Sequence, residues 1–372
     1  LYLGARHRRI RGDAYQRFID RFVDAAMRVF PTAVLQWEDF LKENAIAQLH
    51  RFRYHLCTFN DDIQGTAAIV VAGIYAALRA GGGSFRVQRI VLAGAGASAQ
   101  GIADLCVAAL CDAGLPLDQA RRRIAMVDSR GLVTTARAGL ERFKATYALA
   151  PADVASYEAV DPSHVTLVEA IRGFRPTILL GVSGTPGLFS EPVVRAMAAI
   201  NDRPIVFPLS NPTSKSECTA ADAIAWSDGR AIVATGSPFA PVEYAGVRRR
   251  IGQCNNAFVF PGVGLGLWVG RVRRATDAMF LDAAKALARE VTDRDLADGA
   301  IYPPLDRIRQ CSRAVACAVI RRAIAEGLAD PRLLDDVENT VRRAMWLPNY
   351  APIRCAVQEG SGRPCEIPSA VI

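Results

Sequence analysis

Two doubled acids stand within the first 62 residues: Glu38-Asp39 in VLQWEDF and Asp61-Asp62 in CTFNDDIQGT. Adjacent carboxylates repel, so each pair calls for a neutralising partner or a solvated setting. Each also lies at a predicted helix start, where Asp caps free N–H groups and complements the helix dipole. Capping accounts for either pair alone. Two doubled pairs on the approach to one further motif admit a second reading. Carboxylate oxygens without His or Cys in ligand spacing suit a hard divalent cation, Mg2+ or Mn2+, with water and substrate completing the shell. The residue types leave both readings open.

The further motif is RIVLAGAGASAQGIADL, in which Gly94-x-Gly96-x-x-Ala99 follows a predicted strand and opens a helix. Gly94 allows the tight turn, Gly96 lets the backbone approach a pyrophosphate, and small Ala99 lets helix and strand pack closely. The helix N-terminus then faces the phosphates. Asp128, closing the strand IAMVD, stands where a ribose-binding acid belongs. It lies 34 residues past Gly94, against the usual ~20; the connection GLPLDQARRR accounts for the excess. Asp128 also reads as a turn residue of DSRG. NAD is the expected cofactor, and Arg130 leaves NADP open as a 2′-phosphate partner.

Asn211 in SNPTSK and Asn255 in QCNNAFVFPG come after predicted strands. Asn side chains at the carboxyl ends of parallel strands can hold a hydroxyl, a carboxylate or the nicotinamide amide; the alternatives are a turn and a helix cap. His7, His50, His55 and His164 fall in no triad or metal spacing. GVSGTPG (residues 181–187) has a phosphate loop's glycines without its Lys and reads as a turn at the cofactor crevice.

These residues need elements to hold them. Apolar strands RIVLA, IAMVD, TILLGV, PIVFP and AIVA alternate with helices, including 64–79, one from the end of the 94–101 glycine loop to about 114, 193–200 and 220–226. That alternation predicts a parallel sheet covered on both faces. Ahead of it lie an amphipathic helix (14–30), a strand (33–36) and a second helix (40–52). After Asn255 the strands stop, and helices over 276–292 and 305–327 precede a Pro- and Arg-rich tail from about 331. The predicted fold is α/β: a Rossmann-like, doubly wound parallel sheet domain inserted into a second α/β domain that C-terminal helices complete. The expected divisions are 1–60, 61–254, 255–330 and 331–372.

Half the 372 residues are hydrophobic and 22% are charged, a globular composition. The net charge of +8 comes from 45 basic residues, only four of them Lys. No aromatic residues interleave the small Arg clusters, so nucleic-acid binding is not expected. Nine scattered cysteines without C-x-x-C spacing read as reduced thiols of a cytoplasmic protein. The apolar runs 67–78 and 257–270 read as too short for a membrane span. No signal peptide is seen, and the opening Leu1 suggests a piece of a longer protein.

Taken in order, LYLGARHRR, QWEDF, FNDDIQGTAA, GAGASAQGIA, VDSRGL, LSNPTSKSECT, ATGSPF, CNNAFVFPGVGLG and YPPL resemble the malic enzyme family over residues 1 to about 330. The bacterial NAD-dependent type is the most similar. The resemblance implies oxidative decarboxylation of (S)-malate to pyruvate and CO2 with NAD(P)+ and Mg2+ or Mn2+, and a homo-oligomer, dimer or tetramer, in the full-length form. By position it implies Glu38, Asp39 and Asp62 as metal ligands and Asp61 as the acid near the catalytic lysine. It also implies Gly94, Gly96 and Ala97 as the pyrophosphate loop, and Asn211 and Asn255 as malate contacts. The family's Tyr acid, Lys base and substrate Arg come from a region ahead of Leu1. The expectation is therefore dinucleotide binding with poor turnover by the chain as it stands. A malolactic enzyme and a catalytically silent NAD-binding module are the alternatives.

Overall fold

The computed structural model describes residue 6 and residues 8–350. Most of LYLGARHRR, with His7, and residues 351–372, with Cys355 and Cys365, lie outside the described residues.

Helix α1 (Gly12–Val29) leads to strand β1 (Leu35–Trp37), helix α2 (Lys42–Phe52) and strand β2 (Thr58–Asn60). A π-helical turn over Asp61–Gly65 runs into α3 (Thr66–Gly81). The alternating block follows: β3 (Ile90–Ala93), α4 (Ala97–Asp112), α5 (Leu117–Arg121), β4 (Ile124–Asp128), β5 (Gly131–Leu132), α6 (Arg142–Tyr147), α7 (Pro151–Val154) and α8 (Leu167–Phe174). It continues with β6 (Ile178–Gly181), α9 (Glu191–Ile200), β7 (Ile205–Pro208), α10 (Ala220–Trp226) and β8 (Ile232–Thr235). A hairpin of β9 (Val242–Tyr244) and β10 (Val247–Arg249) precedes β11 (Gly252–Gln253). Helices α11 (Phe260–Val269), α12 (Asp277–Glu290), α13 (Asp293–Ala297), α14 (Ile308–Ala325) and α15 (Val337–Ala344) complete the described chain.

Seven strands form one sheet in the order β11-β8-β7-β6-β3-β4-β5, parallel except for β5. The strands are short and apolar because side chains on both faces are buried. Ile90, Leu92, Ile124, Met126, Ile178 and Leu180 point to one face and share a core with α3, α4 and α12. Val91, Ala93, Ala125, Val127 and Leu179 point to the other, against Ile171, Val194, Met197 and Ile224 of α8, α9 and α10. The chain lays β4 on one side of β3 and returns to lay β6 on the other. The sheet order therefore reverses between β3 and β6, and the carboxyl ends of those two strands open a crevice there.

Helix α3 is apolar on nearly every side and sits in the core. Joined to the π turn, it forms a run of 21 residues, Asp61–Gly81, long and apolar enough to cross a membrane by length and composition. The sequence reading of 67–78 as too short missed the residues that the turn adds. Of this run's apolar window, 78% is buried inside the protein itself.

Two helices run against expectation. Residues 257–270, an apolar run outside the predicted helices, contain α11. Pro261 occupies its first turn, where its missing N–H costs no hydrogen bond. The tail from 331 contains α15, which packs Val337 and Val341 against Cys317 and Ile320. The seven described cysteines are all free thiols.

Candidate active site

Strands β1 and β2 pair in parallel, with Trp37 opposite Asn60. The residues that follow are Glu38-Asp39 on one strand and Asp61-Asp62 on the other, so the register sets the doubled acids side by side. Asp39 takes a left-handed backbone, φ 60, which Asp tolerates better than most residues. Its N–H donates to Asp62 Oδ2 at 2.9 Å. Neither pair caps a helix. Asn60 Oδ1 accepts from the Ile63 N–H at 2.9 Å, and Gln64 Oε1 accepts from the Asn60 N–H at 3.1 Å. Asn60 thus does the capping ahead of α3, and the N-cap residue of α2 is Leu41, which makes no side-chain cap.

Asp61 is completely buried. Its Oδ2 accepts from Asn256 Nδ2, and its Oδ1 has no partner. Gly65 lies directly beneath: a Cβ there would stand 1.9 Å from Oδ1. Burial pushes the Asp61 carboxyl up to about 7, and the negative charges of Glu38 and Asp62 add to the rise. Burial also raises Asp62, although the Asp39 N–H opposes it. The ion pairs found among the described residues, such as Lys42–Glu141 and Arg53–Asp277, involve none of these four acids.

Among the described residues, no three His, Cys, Asp or Glu side chains converge as a metal-ligand group. Glu38 and Asp39 are exposed, and Glu38 accepts from Gln36 Nε2 at 2.9 Å. The residues still fit a hard divalent ion by chemistry. The candidate ligands Glu38, Asp39 and Asp62 are all carboxylates, the buried Asp61 beside them leaves one oxygen without a partner, and none of the four acids joins an ion pair among the described residues.

The glycine loop leads from β3 into α4, whose first turn touches the acidic turn. Gly94 has φ 124, and a Cβ there would meet the Val182 carbonyl oxygen at 2.5 Å. Only glycine admits both that turn and that close approach. Gly96 has nothing within 4 Å of where a Cβ would be. Ala97 opens α4, and Ala99 is buried at its base. Ser98 Oγ donates to the Asp62 carbonyl at 3.0 Å, tying the start of α4 to the acidic turn.

Asp128 ends β4 beside this loop. Its Oδ1 accepts from Arg137 Nη1 at 2.8 Å and from the Arg130 N–H at 2.9 Å, and its Oδ2 accepts from Lys144 Nζ at 3.1 Å. Burial alone would raise this carboxyl, but those bonds outweigh it and hold it below the usual carboxylate range.

A cleft of about 350 Å³ joins the parts. Asp62, Ser98, Gly184, Asn211, Asn255 and Asn256 all line it. Asn211, whose peptide bond to Pro212 is cis, is exposed at the carboxyl end of β7. Asn255 Oδ1 accepts from the Ala257 N–H at 2.9 Å. Asp61 reaches the cleft through Asn256. Sequence reasoning passed over Asn256, Gly65, Ser98 and Glu217. The signal for Gly65 was a small residue one helical turn after Asp61; for Glu217 it was an acid inside an otherwise small, polar loop.

The family model described as "Malic enzyme, NAD binding domain" matches residues 63–324, and "Malic enzyme, N-terminal domain" matches residues 1–53. The NAD-dependent malic enzyme of Sodalis glossinidius (strain morsitans) is 44% identical over 354 residues, covering 95% of this chain and 62% of that protein. That of Pseudomonas aeruginosa (strain UCBPP-PA14) is 43% identical, covering 95% and 63%. The chain thus spans somewhat under two thirds of these relatives. In solved structures, the Entamoeba histolytica malic enzyme superposes with a TM-score of 0.68 at 25% identity, covering 87% of this chain and 63% of that one. The malic enzyme from Pyrococcus horikoshii Ot3 gives 0.64 at 26%, covering 87% and 69%. A match across residues 63–324 assigns the chain to the malic enzyme family.

Proposed function

We propose that this chain carries the dinucleotide site, the metal site and part of the malate site of an enzyme that converts (S)-malate and NAD+ to pyruvate, CO2 and NADH. One observation carries the reading: the β1–β2 register sets four acids beside a cleft at the sheet's reversal point, which three asparagines also line. In this reading Glu38, Asp39 and Asp62 hold Mg2+ or Mn2+, their exposed or half-exposed side chains turning inward. When bound, the metal supplies a Lewis acid and the dinucleotide a hydride acceptor. Gly94, Gly96, Ala97 and Ala99 shape the pyrophosphate cradle, and Asp128 marks the ribose end. Asn211 and Asn255 take the carboxylate and hydroxyl of malate, and Asn211 also borders the nicotinamide. Without a metal, burial and its acidic neighbours hold the Asp61 carboxyl up to about 7, and Asn256 Nδ2 donates to its Oδ2. Ile69 and Val70 of α3 and Val182 after β6 give the cleft its apolar side.

The sequence divisions at 60, 254 and 330, an oligomer in the full-length protein, and NAD rather than NADP belong to the same proposal. Calorimetric titration of NAD+ and NADP+ into the chain and into Gly96→Val tests it. The reading expects NAD+ to bind, NADP+ to bind more weakly, and a Cβ branch at 96 to remove both. No binding of either dinucleotide would overturn it. Product analysis with malate, NAD+ and Mn2+ separates pyruvate from lactate and so excludes or admits the malolactic alternative.

A further inference from the structure

Glu217 is completely buried in the loop between β7 and α10 and forms no ion pair among the described residues. Its carboxylate collects four hydrogen bonds, two from Ser183 in the loop after β6 and two from Ser210 at the start of its own loop. Oε1 accepts from the Ser183 N–H (2.9 Å), Ser183 Oγ (2.9 Å) and Ser210 Oγ (2.5 Å), and Oε2 accepts from the Ser210 N–H (3.2 Å). Ser183 lies at the carboxyl end of β6 and Ser210 at that of β7, the two strand ends on the far side of the reversal point from Asp128.

The donors have no freedom to turn round. Ser210 Oγ already accepts from the Gly184 N–H at 2.8 Å, and Ser183 Oγ from the Thr185 N–H at 3.1 Å. Each hydroxyl hydrogen is thereby directed at Glu217, and the two backbone donors cannot rotate at all. The carboxylate acts only as an acceptor, the role that an amide in its place could fill on one side only. The strand beneath is fitted to it: a Cβ on Gly181 would stand 2.5 Å from the Glu217 carboxyl carbon. The Glu217 carbonyl also accepts from the Phe189 N–H at 3.1 Å, closing the loop that starts at Ser183.

Gly184, Ser210 and Asn211 line the cleft. In a doubly wound sheet, the glycine loop takes the pyrophosphate and β4 the adenosine ribose, so the nicotinamide falls to the β6 and β7 side. We propose that Glu217 is the positioning residue for this half of the site. It locks the 182–187 and 209–212 loops together so that Gly184 and Asn211 meet the nicotinamide half of the dinucleotide, while touching neither substrate nor cofactor. The proposal rests on the dinucleotide reading above.

The test uses Glu217→Gln, with Ser210→Ala as a second variant in case the first folds poorly, in the full chain. Two measurements are made: hydrogen exchange of residues 182–187 and 209–212 without nucleotide, and affinity for NAD+ against ADP-ribose, which lacks the nicotinamide ring. Both loops should exchange at least about tenfold faster, the effect of losing a hydrogen bond to a buried charge. NAD+ should bind about tenfold more weakly while ADP-ribose stays within about twofold. Unchanged exchange in both loops overturns the proposal whether or not the parent chain binds nucleotide. Equal losses for both ligands, or for neither, also overturn it. Failure of the parent chain to bind NAD+ sinks the dinucleotide reading instead, and the exchange arm then judges the loop lock by itself.

Discussion

Asn256 Nδ2 donates to Oδ2 of the buried Asp61 across 195 residues of chain. The bond joins the turn after β2 to the segment after β11, so the acidic cluster and the asparagine-rich end of the sheet form one wall. Asn256→Ala should leave a second orphaned oxygen on a buried carboxyl, at a cost of about 1–3 kcal/mol. Chemical denaturation at pH 8 would read this as a lower midpoint with an unchanged slope. No change in midpoint would mean that the bond contributes nothing.

Asp61 itself is held at a penalty. Its folded value, about 7, lies above the ordinary 3.8. The fold therefore binds this proton more tightly than the unfolded chain does. The linked stability is fully present below pH 4 and is lost as pH rises towards 7, so the penalty is complete above 7. Asp61→Asn should raise the unfolding free energy of the metal-free chain by about 2–4 kcal/mol at pH 8.5 and by almost nothing at pH 4. Equal effects at the two pH values would contradict this.

Gly65→Ala should be worse tolerated than its small size suggests. The added methyl would meet Asp61 Oδ1, and the carboxylate is already buried and tied to Asn256 through its other oxygen. Overpacking of this kind costs about 1–3 kcal/mol. The double variant Gly65→Ala, Asp61→Ala should recover most of it, a coupling that a thermal-melt cycle would measure.

Asp295 gives the opposite pH signature. Burial alone would raise it, but bonds from Thr292 and the guanidinium groups of Arg307 and Arg250 hold it at about 2. Its contribution is present above pH 4 and lost as pH falls through 2. Arg250 and Arg307 remain partly in solvent, so Asp295→Asn should cost only about 1–2 kcal/mol at pH 7. The cost should vanish near pH 2, as paired acid titrations of both proteins would register.

The sheet was legible because its strands are buried on both faces. RIVLA, TILLGV and PIVFP hold short apolar runs, and their length, flanking breaks and β-branched residues set them apart from the longer apolar run of buried helix α3. Helix α11 was not legible because Pro261 and three glycines mark breaks elsewhere, whereas here the proline sits in a first turn. The acid pairs were legible as chemistry but not as a cluster: β1 and β2 are three residues each, too short to announce that Trp37 pairs with Asn60. Asn60 as the cap, Gly65 as the floor beneath Asp61 and Glu217 as an acceptor for two loops depend on contacts that only the folded chain makes.

The central claim is that acids from two separate strands serve one divalent ion. Mn2+ binding, followed by the loss of its free-ion paramagnetic signal, tests this in the parent chain, Asp62→Ala and Glu38→Ala. The account predicts one strong site in the parent, at least about tenfold weaker binding in each variant, and dinucleotide affinity unchanged in both. Mn2+ binding that survives both substitutions would contradict it.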